Sequence, residues 1–363
     1  MKTIVFECET ITPLFMAGAD VQKPELRSPS IKGVLRFWWR AMTYSDSPDN
    51  SFEELLQKEG ESFGSTKKGV GRSKVSLVVR RNSRLETGSN VKDDYALSWR
   101  SENNRTLTGK DAGIGYLLYS VIVFGRGRKF FRHGQKFSVE LKSHDPDTLK
   151  QACAAFWALV YFGGLGARSR RGGGNIGTTG VHGDLDVLKD GNEALEFIVK
   201  GSSSEEVKKW LVDNYSRAIS IVNGGILTTP VTTYSSITDL RFILSKDSFQ
   251  DWKGALNAIG STFSKYRTTN KMDTFGTAAF GLPAKHVKTD NEMFERRASP
   301  LLIKLVKVES KYYWLVLWLS GEFLPQNVDL QNKGDRRKKS APNYGKIAQF
   351  WDQVALDGVK YEP

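Results

Sequence analysis

The hydrophobic pattern changes period repeatedly along the chain and writes one order of elements twice. Residues 3–10 alternate apolar and polar as a half-buried strand does, and residues 31–43 carry apolar side chains at helical spacing. Residues 75–80 and 136–142 read as strands again. Residues 147–162 form an apolar helix announced by Asp145-Pro146, an N-cap followed by proline at the first helical position. Residues 176–188 supply a fourth strand. A connecting helix over 202–222 follows. Then a strand (240–244), a helix (249–263), a hairpin (301–308 and 312–319, around Glu309-Ser310-Lys311), a helix (346–356) and a short strand (358–361) repeat the order less clearly. Phe63-Gly64 and Phe280-Gly281 occupy matching places in the two copies. The expected fold is α+β: two ferredoxin-like (RRM-like) βαββαβ domains with antiparallel sheets, residues 1–190 and 191–363.

Long basic and polar insertions separate these elements. Residues 67–74 and 80–104 read as exposed loops, and 333–339 as a solvated charged run without apolar period. The balance of charge points the same way. Fifty-three Lys and Arg against 40 Asp and Glu give +13, with a pI near 9.5. That excess suits a polyanion, since each neutralised phosphate releases counterions; membranes and acidic proteins attract cations too. Cys8 and Cys153 have no metal-ligand spacing, so no disulfide framework is expected and a reducing cytoplasm is the default. The N-terminus meets acid at Glu7, unlike a signal peptide, and the longest apolar run, 312–319, is too short to cross a bilayer. The expectation is a cytoplasmic protein without membrane contact.

Two segments carry candidate chemistry. In the first helix, Ser30 is the expected N-cap, leaving free backbone N–H groups at the helix start. At ~100° per residue, Ile31, Leu35, Trp38 and Met42 share a core stripe. Lys32, Arg36 and Arg40 form an adjacent basic edge, with Trp39 at the border. Cations and free N–H groups hold phosphate, and an indole stacks a base. Two core tryptophans beside a solvated basic face explain the pattern equally well. The second segment, Gly163 to Asn175, follows the helix over 147–162 and contains Arg168, Arg170 and Arg171 among its glycines. It permits positive φ and close backbone approach, but it lacks the Gly-Lys-Ser/Thr ending of a Walker loop and does not open a helix after a strand. A bare linker is usually Gly/Ser, and three arginines argue against one.

The stretch Thr12-Pro13-Leu14-Phe15-Met16-Ala17-Gly18-Ala19-Asp20, then Ser30 to Arg40, then Phe63-Gly64-Ser65, resembles the N-terminus of RAMP-superfamily proteins. Within that superfamily it is most similar to the first family of Cmr subunits of type III-B CRISPR effector complexes. The glycine-rich segment resembles the loop that marks RAMP proteins, and Arg296-Arg297-Ala298-Ser299-Pro300 resembles a basic element of their second half. The resemblance implies a non-catalytic, cofactor-free subunit of an RNA-silencing complex that binds CRISPR guide RNA near its 3′ end. Other Cmr subunits are the implied protein partners, and target RNA is a second candidate ligand. The residues implied for RNA are Ser30, Lys32, Arg36, Trp39 and Arg40 on the helix, and Gly164, Gly166, Arg168, Arg170, Arg171 and Asn175 in the loop. Arg296 and Arg297 complete the set.

An enzymatic site is hard to find. His133, His144, His182 and His286 have no zinc spacing, and His144-Asp145 reads better as a helix cap than as a metal-binding dipeptide. Some RAMP proteins cut CRISPR precursor RNA without metal, using a histidine near the first helix. No histidine precedes His133 here. His133, in the basic and aromatic stretch Gly125 to His133, is the remaining candidate base for that alternative. A protein-only scaffold is the third reading.

Overall fold

The fold comes from a computed structural model, which describes residues 1–43, 51–67, 69–81, 83–102, 106–122, 127–225 and 235–363. The first half contains β1 (Lys2–Thr10), α1 (Ser28–Met42), β2 (Ser76–Arg80), β3 (Lys136–Ser143), α2 (Pro146–Tyr161) and β4 (Ile176–Gly183). Its strands pair antiparallel in the spatial order β2-β3-β1-β4, with Phe6 opposite Val139 and Val139 opposite Val79. After α3 (Ser204–Asn223) come β5 (Ser236–Ser245), α4 (Trp252–Thr269), β6 (Leu301–Val308), β7 (Lys311–Ser320), α5 (Gly345–Ala355) and β8 (Gly358–Tyr361). These pair as β6-β7-β5-β8, the same order with the same antiparallel sense. Both halves are therefore ferredoxin-like, as the repeated pattern predicts.

Local chemistry explains the boundaries. Asp145 caps α2 by accepting from the backbone N–H groups of Asp147 and Thr148, so His144-Asp145 is a helix start. Asp251 caps α4 by accepting from Gly254 N at 2.8 Å. That cap delays the helix by three residues relative to expectation, because Phe249 is paired across to Tyr312. The fourth strand also ends early. Gly183 takes a positive φ of 105°, and a 3-10 turn over Leu185–Leu188 follows where strand was expected.

The second sheet is buried on both faces. Leu302, Val306, Leu315 and Leu317 join the core formed with α1, α2 and α3, while Leu301, Ile303, Trp314 and Val316 pack with α4 and α5. A strand covered on both sides reads as a continuous apolar run rather than an alternation, which is what residues 312–319 show. One face of that sheet thus shares its core with the first half, and a seam runs between the halves along β6.

The insertion over 80–104 differs from an exposed loop. Leu85, Val91, Leu97 and Trp99 are all buried in it, and a helix over Ala112–Leu117 continues it onto α4. Its apolar residues lack a helical or strand period, so the pattern hid a packed layer. The charged run around Arg336, Arg337 and Lys338 is exposed, as expected.

Candidate nucleic-acid interface

Helix α1 begins earlier than the sequence suggests. Its cap is Arg27, with no side-chain cap hydrogen bond, and Pro29 lies in the first turn. Ser30 is therefore inside the helix and leaves no capped, empty N-terminus there; proline at the helix start fixes φ and moves the boundary. Ile31, Leu35, Trp38 and Met42 are buried, as the stripe predicts.

Trp39 is not a border residue. It is only 4% exposed, stands edge-on to Phe63, and donates its indole N–H to Gln151 Oε1 at 3.0 Å. A base has no access to its face. Both tryptophans belong to the core, because the helix Ser51–Phe63 covers the side of α1 that carries Trp39.

The basic edge is real and already engaged. Glu59, itself 1% exposed, receives Arg36 Nε on one oxygen and Arg40 Nη1 on the other, the latter at 2.6 Å. Lys32 Nζ donates to Ser73 Oγ at 2.6 Å and Val75 O at 3.2 Å. Burial, and then the neighbouring Arg36, lowers the Lys32 pKa. Both arginines remain partly exposed, so each presents further N–H groups to solvent while one carboxylate holds the pair.

The glycine-rich loop is a clasp between the halves. It folds onto the Pro13–Phe15 segment: Ala167 N donates to Phe15 O at 2.9 Å and Gly174 N to Pro13 O at 2.9 Å. Gly166 has φ +75°, and a Cβ there would lie 2.4 Å from Phe15 O, so only glycine fits. Gly164 is buried beside the carbonyl of Gly174. Three consecutive residues of β6 are then gripped from the loop. Ile303 N donates to Arg170 O at 3.1 Å, Lys304 Nζ to Gly163 O at 2.6 Å, and Leu305 N to Asn175 Oδ1 at 2.8 Å.

The loop arginines also bond to protein. The guanidinium of Arg168, a residue at φ +64°, donates to Leu117 O. Arg170 Nη1 donates to Ser299 O at 2.9 Å, and Arg171 Nη2 to Phe280 O at 3.1 Å. Burial pushes the Arg171 pKa down to about 9 and the Arg170 pKa down to about 10. Arg297, close by, lowers that of Arg170 further.

The structure thus brings three separate sequence segments to one place. The Arg170 guanidinium lies 5.4 Å from the ring centre of Phe37 on α1 and bonds the Ser299 carbonyl beside Arg296 and Arg297. Arg296 is exposed, whereas Arg297 donates to Glu322 O and pairs through its backbone with Leu282. Phe37 is the half-buried aromatic of this junction, and the sequence did not single it out. Its signal was available: it falls one residue before Trp38, off the core stripe. Arg36, Phe37 and Arg170 are partly exposed and can hold phosphate and a planar ring, and Arg296 lies exposed three residues before Ser299 in sequence. Asn175, fully buried, supports the junction from inside.

His133 is exposed, packs against Tyr95 and Trp252, and has a pKa lowered mainly by burial. Phe130 and Phe131 beside it are buried, so that stretch is a turn with core phenylalanines; Gly125 and Arg126 lie outside the described residues. Among the described residues, no group of three or more His, Cys, Asp or Glu side chains is arranged to hold a metal, and no helix is long and apolar enough to cross a membrane.

Comparison with known proteins gives three findings. The RAMP superfamily model matches residues 7–176. Two proteins of Pyrococcus furiosus are similar in sequence. CRISPR system Cmr subunit Cmr1-2 is 35% identical over 187 residues, covering 48% of this chain and 95% of that protein. CRISPR system Cmr subunit Cmr1-1 is 28% identical over 330 residues, covering 88% of each. Among solved structures, apo Cmr1 from Pyrococcus furiosus aligns with a TM-score of 0.67 at 24% identity, over 99% of this chain and 98% of that one. A chain of the type III-B Cmr-beta assembly bound to cognate target RNA aligns with a TM-score of 0.59 at 15% identity, over 98% and 99%. At these identities the structural likeness is one of fold.

Proposed function

The chain belongs to the RAMP superfamily and, within it, to the first family of Cmr subunits, and from that premise we propose that it is a non-catalytic, RNA-binding subunit of a type III-B effector complex. Its ligand in this reading is CRISPR guide RNA near the 3′ end, held mainly through phosphates and so with little sequence preference. Target RNA is a second ligand of the same surface. Other Cmr subunits are its protein partners. We retain residues 1–190 and 191–363 as its two domains.

The observation that carries the reading is the Arg170 guanidinium over Phe37 of α1, on a loop that clasps both halves of a chain of net charge +13, with Arg36 next to Phe37 in sequence and Arg296 exposed three residues before the Ser299 carbonyl that Arg170 bonds. Single-stranded RNA asks for that combination of cations along a backbone track and a ring for stacking. In this reading Arg168 fixes the loop through Leu117 O, and Arg36, Arg40, Arg170 and Arg296 meet phosphate.

The test is the salt dependence of single-stranded RNA binding by the purified chain. Log affinity should fall linearly with log salt, with a slope of roughly −0.7 for each phosphate contacted. A slope near zero between low and moderate salt sinks the phosphate-led reading. The same preparation, with and without divalent metal and with partner subunits added in parallel, should leave a labelled CRISPR repeat RNA intact. Specific cleavage abolished by His133→Ala would establish the endonuclease reading instead.

A further inference from the structure

Below the clasp lies a second feature, which the interface described above does not use. A cavity of about 370 Å³ opens between the helix Ala112–Leu117, the short helix Tyr119–Ile122, the glycine loop and α4. Its wall contains Tyr116, Arg168, Arg171, Phe263, Arg267 and Phe280. Each cation stands against a ring or a carbonyl. The Arg171 guanidinium lies 4.6 Å from the centre of Phe263 and that of Arg267 lies 4.8 Å from the centre of Phe280. Arg267 Nη1 donates to Thr277 O at 2.6 Å.

Three guanidinium groups share this space, and among the described residues no carboxylate lines it. Arg171, which lines the cavity, has one guanidinium nitrogen, Nη1, buried without a hydrogen-bond partner. A buried donor on a charged group left unpaired is costly, and like charges in one pocket raise that cost. The pKa of Arg171 records both, lowered first by burial and then by Arg168, Arg267 and Arg170. An anion entering the pocket would remove the penalty. The ring faces and the size narrow the class of anion further. Rings flanked by guanidinium groups favour a planar, polarisable ligand part beside the anionic one. A few hundred cubic ångströms is the scale of a small-ligand site.

We infer that this cavity takes a single nucleotide unit, its phosphate on the Arg171 and Arg267 guanidinium groups and its base against the Tyr116, Phe263 and Phe280 wall. This rests on the RNA-binding reading for its biological source, an unstacked nucleotide of the bound strand, although a free nucleoside monophosphate offers the same chemistry.

Ser120 lies exposed on the rim, so Ser120→Trp blocks the mouth without removing a core contact. The probes are a single-stranded RNA carrying 4-thiouridine at varied positions, uridine monophosphate, uridine and inorganic phosphate. With wild-type protein, the photo-crosslink should map to peptides around Tyr116–Ser120 and Phe263–Arg267. Ser120→Trp should abolish that crosslink and weaken RNA binding by about tenfold, the scale of losing one stacked base. Its thermal unfolding should match the wild type. RNA binding unchanged in Ser120→Trp, with no crosslink in the cavity, overturns the inference and leaves the RNA-binding reading standing. If wild-type protein binds no RNA but binds uridine monophosphate in a Ser120→Trp-sensitive way, the RNA reading fails and the cavity is a free-nucleotide site. Inorganic phosphate binding as tightly as uridine monophosphate, or none of the probes binding, refutes a nucleotide site.

Discussion

Asn175→Ala separates the clasp from the proposed RNA surface. Asn175 is 0% exposed, and its Oδ1 is the acceptor for Leu305 N at 2.8 Å. Alanine leaves that backbone N–H buried and unpaired inside the seam, at a cost of about 1–3 kcal/mol. Against it stands a smaller gain, because Asn175 Nδ2 is itself buried without a partner among the described residues and disappears in the variant. The net expectation is a destabilisation of roughly 1–2 kcal/mol, a large part of a typical total of about 5–15 kcal/mol. Equilibrium urea unfolding followed by tryptophan fluorescence reads it. RNA affinity under conditions where both proteins are folded should be unchanged within about twofold, since nothing of Asn175 reaches the surface. Asn175→Asp adds a sign to check. It keeps an acceptor for Leu305 N but places a carboxyl group in a buried site, which raises its folded pKa above the unfolded value of about 3.9. Relative to wild type, its loss of stability should then be smallest below that pH and grow as pH rises through the raised folded pKa. An Asn175→Ala variant within about 0.5 kcal/mol of wild type, or one fully stable yet unable to bind RNA, would refute the clasp argument and return Asn175 to the ligand-binding set.

Three further outcomes are expected. Burial holds the Lys304 pKa at about 7, well below its unfolded value, so the unfolded chain carries a proton that the native chain lacks. Stability should rise with pH from about 7 towards about 10.4, and Lys304→Met should flatten that rise in urea melts across the window. Glu59→Gln should lower stability by about 1–2 kcal/mol, discounted for the partial exposure of Arg36 and Arg40, while raising low-salt RNA affinity by freeing both cations. A fall in RNA affinity at unchanged folding would remove the α1 edge from the interface. Arg296→Ala should cost RNA affinity and shrink the salt slope by roughly one contact at constant stability, whereas Arg170→Ala should lower stability by about 1–3 kcal/mol through the lost bond to Ser299 O. Filter binding and thermal melts on the same samples separate the two.

The fold was legible because its signals are local. Asp145-Pro146 marks a helix start on its own, and the 3.6 period of Ile31, Leu35, Trp38 and Met42 needs no partner to be read. What stayed hidden depends on residues far apart in sequence. Glu59 lies 19 positions from Arg40, and nothing in its own helix announces a buried carboxylate. Trp39 turned inward because a second helix covers it, which no periodicity of α1 can report. The arginines of the glycine loop bond to carbonyls at Leu117, Ser299 and Phe280, from 51 to 129 positions away. Residue type and local composition suggested phosphate, while tertiary contact supplied carbonyl oxygens instead.

That substitution bears on what a glycine- and arginine-rich loop does in this chain. A loop that cradles phosphate keeps its backbone N–H groups unpaired and directed at the ligand. Here the N–H groups of Leu165, Ala167, Arg171, Gly173 and Gly174 all donate to protein carbonyls, so the backbone has none of these to offer an anion. The side chains behave differently from one another. Arg170 stands over Phe37 at the outer junction, Arg171 lines the inner cavity and keeps a buried, unpartnered Nη1, and Arg168 fixes the turn through Leu117 O. The glycines set the backbone path, and the path aims three cations from adjacent positions in different directions. Since the same loop grips Ile303, Lys304 and Leu305, any strand bound at the outer junction meets groups whose placement depends on both halves being docked. Affinity for RNA and stability of the seam are then linked, and RNA should raise the unfolding midpoint in proportion to the logarithm of its free concentration above Kd.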